Sequence, residues 1–89
     1  MNDSKKMDIT QDLQILIGKR ISEIRLKNKQ TQQDIEFLSG IDAAEVSKYE
    51  GGKRNLTLKT LGKFVIALGV DPKELFDFDF DLKKYKIEE

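Results

Sequence analysis

Closely spaced helix starts and stops in the middle of this chain constrain its fold more than any other feature. Thr31 and Asp34 have the spacing of a capping box, and Gly40 follows six residues after Asp34, so the helix between them is short. The other boundaries combine a capping side chain with a glycine or a proline: Asp42 with Gly51-Gly52, Thr57 with Gly69, and Asp71 with Pro72. The pattern predicts a series of short helices.

A longer helix is predicted before them. Thr10 is placed to cap it, and Asn28 is expected to end it in the left-handed conformation that Asn tolerates. Apolar residues recur at helical spacing along the five helices and predict their inward faces: Leu13, Ile17, Ile21, Ile24, Ile35, Leu38, Val46, Tyr49, Leu58, Leu61, Phe64, Val65, Leu68, Leu75 and Phe76. We therefore expect a flexible N-terminus at residues 1–9 and a compact all-α domain at residues 10–76.

The tail at residues 77–89 changes period. Phe76, Phe78, Phe80 and Leu82 alternate with aspartates, which is typical of a short strand. Two interpretations are open. These side chains cover the domain's own core, or they form a strand that pairs with a second copy of the chain across a two-fold axis. The second interpretation makes the four residues candidate dimerisation contacts.

Composition argues against several classes of function. The chain of 89 residues has no Cys and no His, so it lacks disulfides, thiolate metal sites and the commonest general base. We expect no enzyme, no metal site, no cofactor and no small-molecule ligand. No apolar run approaches the roughly 18 residues that span a membrane, and no apolar stretch follows Lys5-Lys6 as it would in a signal peptide. A cytoplasmic location is therefore predicted.

The formal net charge of zero hides a polarised distribution. Residues 17–63 carry ten Lys or Arg and six acidic residues, whereas residues 64–89 carry four Lys and seven acidic residues. The basic middle favours a nucleic-acid partner, although ordinary variation in surface charge gives the same pattern.

Eight segments of the chain carry a resemblance as an ordered set. They are Ile17-Gly18-Lys19-Arg20-Ile21, Thr31-Gln32-Gln33-Asp34-Ile35, Ser39-Gly40-Ile41, Val46-Ser47-Lys48-Tyr49-Glu50, Gly52-Lys53-Arg54-Asn55, Leu58-Lys59-Thr60-Leu61, Ala67-Leu68-Gly69-Val70 and Glu74-Leu75-Phe76. At these spacings, residues 17–76 resemble the Cro/phage-repressor (XRE, Cro/C1-type) family of helix-turn-helix domains. The resemblance implies a lambda-repressor-like fold of five helices and a sequence-specific DNA-binding transcriptional regulator, for example a repressor. Its partner would be double-stranded DNA, bound by a homodimer at a palindromic site.

The resemblance also implies where DNA is contacted. The reading helix, at about 42–49, enters the major groove, and Gln32 on the helix before it touches a phosphate and braces the reading helix. The candidate contacts on the reading helix and in the loop that grips the DNA backbone are Ala43, Ala44, Glu45, Ser47, Lys48, Lys53, Arg54 and Asn55. Arg25 and Glu50 match a pair that forms a structural salt bridge in family members.

Two departures from the family pattern bear on this site. Glu36 stands where the family usually has Ala, so its stem must reach outward or the two helices of the motif must lie slightly apart. Ala43 and Ala44 offer only apolar contact, for instance to a thymine methyl, and Glu45 either accepts a hydrogen bond from cytosine N4 or is repelled by phosphate. Part of the specificity is then expected from DNA shape and from dimerisation.

Two questions stay open from the sequence. A protein-interaction adapter that keeps the fold and has lost DNA is the alternative function, suggested by the zero net charge, the acidic tail, and Asp42 and Glu45 on the reading helix. Weak binding to DNA with an affinity that does not depend on salt concentration would favour the adapter. Small members of the family include antitoxins, restriction-modification controllers and mobile-element repressors, and the sequence does not choose among them.

Overall fold

The computed structural model describes residues 8–85, which form four α-helices and two short 3₁₀ helices. The α-helices are α1 (Ile9–Lys27), α2 (Gln32–Ser39), α3 (Ala43–Glu50) and α4 (Leu58–Leu68), and the 3₁₀ helices are η1 (Pro72–Phe76) and η2 (Leu82–Lys84). The predicted all-α class is confirmed. The count of five helices needs one correction, because the fifth is the 3₁₀ helix η1.

Local capping signals explain why the middle helices begin and end where they do. The side chains of Thr31, Asp42 and Thr57 accept hydrogen bonds from backbone N–H groups in the first turns of α2, α3 and α4. Gly40 and Gly69 close α2 and α4 with φ of 80° and 67°, the left-handed region that Gly adopts without a steric cost. These predicted boundaries are therefore confirmed.

The predicted end of α1 is confirmed, because Asn28 is its C-cap, but the predicted N-cap and the left-handed conformation predicted for Asn28 are wrong. Asp8, and not Thr10, caps the helix, because its carboxylate accepts from the backbone N–H of Gln11 at 3.2 Å. Asn28 keeps a right-handed backbone with φ of −81°, and Lys29 takes the positive φ of 59° instead. The side-chain amide of Asn28 donates to the carbonyl of Leu68 at 3.1 Å, so its side chain is held at the end of α4.

The strand predicted in the tail is absent from residues 77–85. Backbone hydrogen bonds there are local, with the N–H of Phe78 donating to the carbonyl of Phe76 at 3.0 Å and the N–H of Tyr85 donating to that of Leu82 at 3.0 Å. Turns of this kind leave no extended edge to pair with another strand. The rest of the predicted tail, residues 86–89, and residues 1–7 of the predicted flexible N-terminus lie outside the described residues.

The core takes one fully buried side chain from each of the first five elements. These are Ile21, Ile35, Val46, Phe64 and Leu75, each at 0% exposure. Three predicted inward positions are wrong, because Leu38, Leu58 and Phe76 are 50%, 84% and 48% exposed. No helix among residues 8–85 is long and apolar enough to cross a membrane.

Candidate nucleic-acid interface

The turn between α2 and α3 is held by one hydroxyl group and one glycine. The Ser39 hydroxyl donates to the carbonyl of Ile35 at 2.6 Å and accepts from the backbone N–H of Ile41 at 3.0 Å. Gly40 lies between them and donates its N–H to the carbonyl of Glu36 at 2.8 Å. The chain therefore reverses within three residues, which brings α3 across α2 in the arrangement of a helix-turn-helix motif.

The orientation of α3 is set by its inward side. Val46 is fully buried, and the ring of Tyr49 packs edge-on against Phe64 with 5.4 Å between ring centroids. A helix fixed on these two residues turns its opposite side outward, and Ser47 and Lys48 are exposed there. Two sequence-predicted contacts, Ser47 and Lys48, thus lie on the free face of α3.

The alanines of the reading helix lie at its first turn. Ala44 is exposed and Ala43 is half-buried, so only small apolar surface is offered at these positions. Glu36 reaches this turn from α2, where its carboxylate accepts from the backbone N–H of Ala43 at 3.2 Å. The side chain at the position where the family usually has Ala therefore extends outward from α2 and contributes to capping α3.

Glu50 joins three elements at the other end of α3. Its carboxylate accepts from Arg25 Nε at 2.6 Å, from Arg25 Nη2 at 3.1 Å and from Gln32 Nε2 at 3.1 Å. Arg25 also donates to the carbonyl of Gln30 at 2.8 Å. The ion pair expected from the family resemblance is thus present. The hydrogen bond from Gln32 to Glu50 also connects the start of α2 to the end of α3.

Glu45 and Arg54 form a second ion pair on the exposed side. Arg54 Nε donates to Oε1 of Glu45 at 3.0 Å and Nη2 donates to Oε2 at 3.4 Å, and Lys48 Nζ lies 3.5 Å from Oε2. The hydrogen bond from Arg54 is the main reason that the pKa of Glu45 lies below its ordinary value. Glu45 is therefore a charged carboxylate whose two oxygens are already engaged by cations.

The loop after α3 presents Lys53 and Asn55 to solvent. Gly52 shapes this loop with a φ of 74°, and a Cβ on Gly52 would lie 2.7 Å from the side chain of Ile15. Gln14 of α1 holds the same residue by donating to the Gly52 carbonyl at 3.1 Å. Neither contact was predicted from the sequence, because Gln14 lies 38 residues before Gly52 and Glu36 caps α3 from the preceding helix, across the turn.

The candidate dimerisation residues divide into two groups. Phe76 and Leu82 are 48% and 68% exposed, whereas Phe78 and Phe80 are half-buried. Phe80 stacks on Tyr85 with 5.2 Å between ring centroids. The hydroxyl of Tyr85 donates to the carboxylate of Asp12 at 2.6 Å, which holds the tail against α1.

Comparison with known proteins places this geometry in a family. A family model described as helix-turn-helix matches residues 21–75. The chain is 35% identical over 71 residues to the control protein C.BamHI of Bacillus amyloliquefaciens, in an alignment that covers 79% of this chain and 88% of the relative. It is 36% identical over 64 residues to an uncharacterized HTH-type transcriptional regulator, y4dJ, of Sinorhizobium fredii, in an alignment that covers 72% of this chain and 83% of the relative.

A solved structure of a controller protein is also similar to this chain. The restriction-modification controller protein C.AhdI from Aeromonas hydrophila superposes with a TM-score of 0.69 and 38% identity, covering 73% of this chain and 97% of that one. The residues that the family model matches include the turn, the buried face of α3 and the loop after it. The chain therefore belongs to the Cro/phage-repressor (XRE) family of helix-turn-helix proteins.

Proposed function

We propose that this chain is a sequence-specific DNA-binding regulator of transcription that inserts α3 into the major groove. The observation that carries the proposal is the anchoring of α3, whose inward residues Val46 and Tyr49 are packed while Ser47 and Lys48 are exposed to solvent. A major groove about 12 Å wide admits one helix held in this way. Its relatives are regulators and not enzymes, and we extend the same role to this chain.

The supporting contacts lie on either side of α3. Gln32, held against Glu50, is placed to meet a phosphate beside the start of α2, and Lys53 and Asn55 are placed to meet the backbone beyond the end of α3. Contacts of this kind position the protein on DNA without reading its sequence. Because C.AhdI is a restriction-modification controller protein, we assign this chain to the controllers in preference to antitoxins and mobile-element repressors. Such a regulator acts on DNA in the bacterial cytoplasm.

We also propose that the chain binds as a homodimer on a palindromic site. Leu58 and Ile66 are 84% and 76% exposed and lie two turns apart on α4 with Gly62 between them. Apolar surface left in this way on a small domain is typical of an interface. We favour this α4 stripe over the tail aromatics, because Tyr85 and Phe80 already pack the tail on its own domain.

Selection of bound sequences from a random DNA library, at low and near-physiological salt, tests the proposal. A palindromic consensus that survives the higher salt is the expected result, and its half-site spacing reports the dimer geometry. Folded protein that enriches no sequence at either salt would contradict it and favour the protein-interaction adapter.

A further inference from the structure

The first half of α1, at residues 9–17, contains no fully buried side chain. Every residue in it is exposed or half-buried, and the first buried residue of the helix is Gly18. A helix start that buries little apolar surface belongs to the parts of a protein that open most easily. Contacts from other segments of the chain must therefore hold this half of α1 in place.

The tail at residues 77–85 supplies one of these contacts. The Tyr85 hydroxyl donates to Oδ2 of Asp12 at 2.6 Å, although the two residues lie 73 positions apart in the chain. The ring of Phe80 stacks on that of Tyr85, and both rings line a cavity together with Ile15 of α1. The tail follows the last residue that the family model matches, so this contact is an addition to the shared domain.

The loop after α3 supplies the other contact, at the same turn of α1. Gln14 Nε2 donates to the carbonyl of Gly52 at 3.1 Å, and a Cβ on Gly52 would lie 2.8 Å from the Cα of Ile15. Gln14 and Ile15 lie within one helical turn of Asp12, because a turn takes about 3.6 residues. Gly52 directly precedes Lys53, which is proposed above to meet the DNA backbone. The tail and the DNA-binding loop therefore share one turn of α1.

We infer that Tyr85 is a positioning residue for the DNA-binding loop. By binding Asp12 it holds the first half of α1, and this half of α1 in turn holds Gly52. The inference rests on the proposed function and assigns to it a residue outside the helix-turn-helix motif. Tyr85 acts through α1 and needs no contact with DNA. Releasing the tail should loosen the loop and weaken the phosphate contact of Lys53.

Hydrogen exchange in the DNA-free chain tests the structural part of the inference. The backbone N–H groups of Gly52 and Lys53 donate to carbonyls at the end of α3 at 3.1 and 2.9 Å, so their exchange reports opening of the loop. Tyr85→Phe keeps the ring that stacks on Phe80 and removes only the hydroxyl. It should raise the exchange rates of these two amides by about twofold to tenfold, the range expected for the loss of one hydrogen bond. The amide of Ile41, in the turn between α2 and α3, should exchange as before.

The affinity for the selected DNA sequence tests the functional part. Tyr85→Phe and Asp12→Ala should each weaken binding by about threefold to tenfold. The Asp12 variant is informative because removing a negative charge from a protein that binds phosphates would by itself strengthen binding. Asp79→Ala is the matched control, since Asp79 is an exposed acid that lines the same cavity and is not the acceptor of Tyr85. This control should bind DNA at least as tightly as the unmodified chain.

A double variant separates positioning of the loop from general destabilisation. If Tyr85 acts through the loop, Tyr85→Phe should weaken binding by a smaller factor in a Lys53→Ala background than in the unmodified chain, because the contact that it positions is already lost. A merely structural role would give the same factor in both backgrounds.

Three results would overturn the inference while the proposed function stands. Unchanged exchange of Gly52 and Lys53 in Tyr85→Phe would show that the tail does not hold the loop. Equal factors in the two backgrounds would show that Tyr85 does not act through Lys53. Loss of affinity on replacing Lys83 and Lys84 by Ala, with none in Tyr85→Phe, would identify a direct contact between the tail and DNA. If the unmodified chain enriches no sequence, the proposed function fails, and the exchange experiment still decides whether Tyr85 holds the loop.

Discussion

Arg25 and Glu50 form a bidentate ion pair between α1 and the end of α3, and only 11% and 8% of their side chains are exposed. Because removing one partner leaves a buried charge, Arg25→Ala should lower the free energy of unfolding by about 3–5 kcal/mol. Urea denaturation measures this change. The control is Glu23→Gln, which breaks a more exposed pair with Arg20 and should cost under about 1 kcal/mol.

Replacing both partners separates stability from function. Arg25→Met combined with Glu50→Leu should recover most of the stability, because apolar residues of similar volume remove the buried charges together. The double variant also lacks the Glu50 carboxylate that accepts a hydrogen bond from Gln32, so its affinity for DNA should be lower than that of the unmodified chain. A single Arg25→Ala variant that loses less than about 1 kcal/mol would show that the pair contributes no more than a surface pair.

Gly18 marks the closest approach of α1 to α3. A Cβ there would clash with the carbonyl oxygen of Tyr49 and lie 2.8 Å from that of Glu50, both backbone atoms that cannot rotate away. Gly18→Ala should therefore cost about 1–3 kcal/mol or more through overpacking.

Gly62 provides the matched control inside α4. Nothing lies within 4 Å of a Cβ at Gly62, so Gly62→Ala should stabilise the monomer by about 0.5–1 kcal/mol through helix propensity. Thermal unfolding at concentrations where the chain is monomeric compares the two variants. Equal effects of the two substitutions would contradict the close packing at Gly18.

Local signals explain why much of the fold could be predicted from the sequence. Thr31, Asp42 and Thr57 cap helices by contacts within three residues, so the sequence alone is sufficient to identify these caps. Asn28 does end α1 as predicted, but its left-handed conformation was predicted wrongly because its surroundings are not local. Its side chain donates to the carbonyl of Leu68, which is 40 residues away and which no local pattern indicates.

The candidate site divides in the same way. The face of α3 follows from helical spacing around Val46, so Ser47 and Lys48 could be placed from the sequence. The partner of Glu45 could not be placed, because Arg54 follows α3 in a loop whose path depends on Gly52 and on α1. Arg54 was therefore assigned to a phosphate from its position in the chain alone.

Lys53 should contribute affinity without sequence preference. Because each neutralised phosphate releases counterions, Lys53→Ala should weaken binding similarly at all sequences and reduce the slope of log K against log salt by about one per bound subunit. Lys73→Ala removes the same charge from η1, which packs on α1 and α4, and should leave the slope unchanged. An unchanged slope for Lys53→Ala would remove this residue from the DNA contacts.

The proposed α4 interface predicts a change in oligomeric state. Ile66→Glu places a carboxylate within the apolar stripe and should convert the dimer to monomers in sedimentation experiments, because burying an unpaired charge is costly. Lys59→Glu adds a carboxylate to an exposed position of the same helix and should leave the dimer intact. A chain ending at Asp77 should also remain dimeric. Loss of the dimer in that shortened chain alone would assign the interface to the tail.

Tyr85 should titrate at unusually high pH. Its hydroxyl donates to Asp12 at 2.6 Å, and this hydrogen bond, with smaller contributions from burial and from the charge of Asp12, raises the pKa of Tyr85 above its ordinary 10.0. Since the folded pKa is the higher one, the contact stabilises the tail fully below about pH 10 and is lost as the pH rises through the raised pKa. Asp12→Asn should move the tyrosinate absorbance transition to lower pH, with Tyr85→Phe identifying which transition belongs to Tyr85. A transition in Asp12→Asn that matches the unmodified chain would show that the hydrogen bond does not hold the proton.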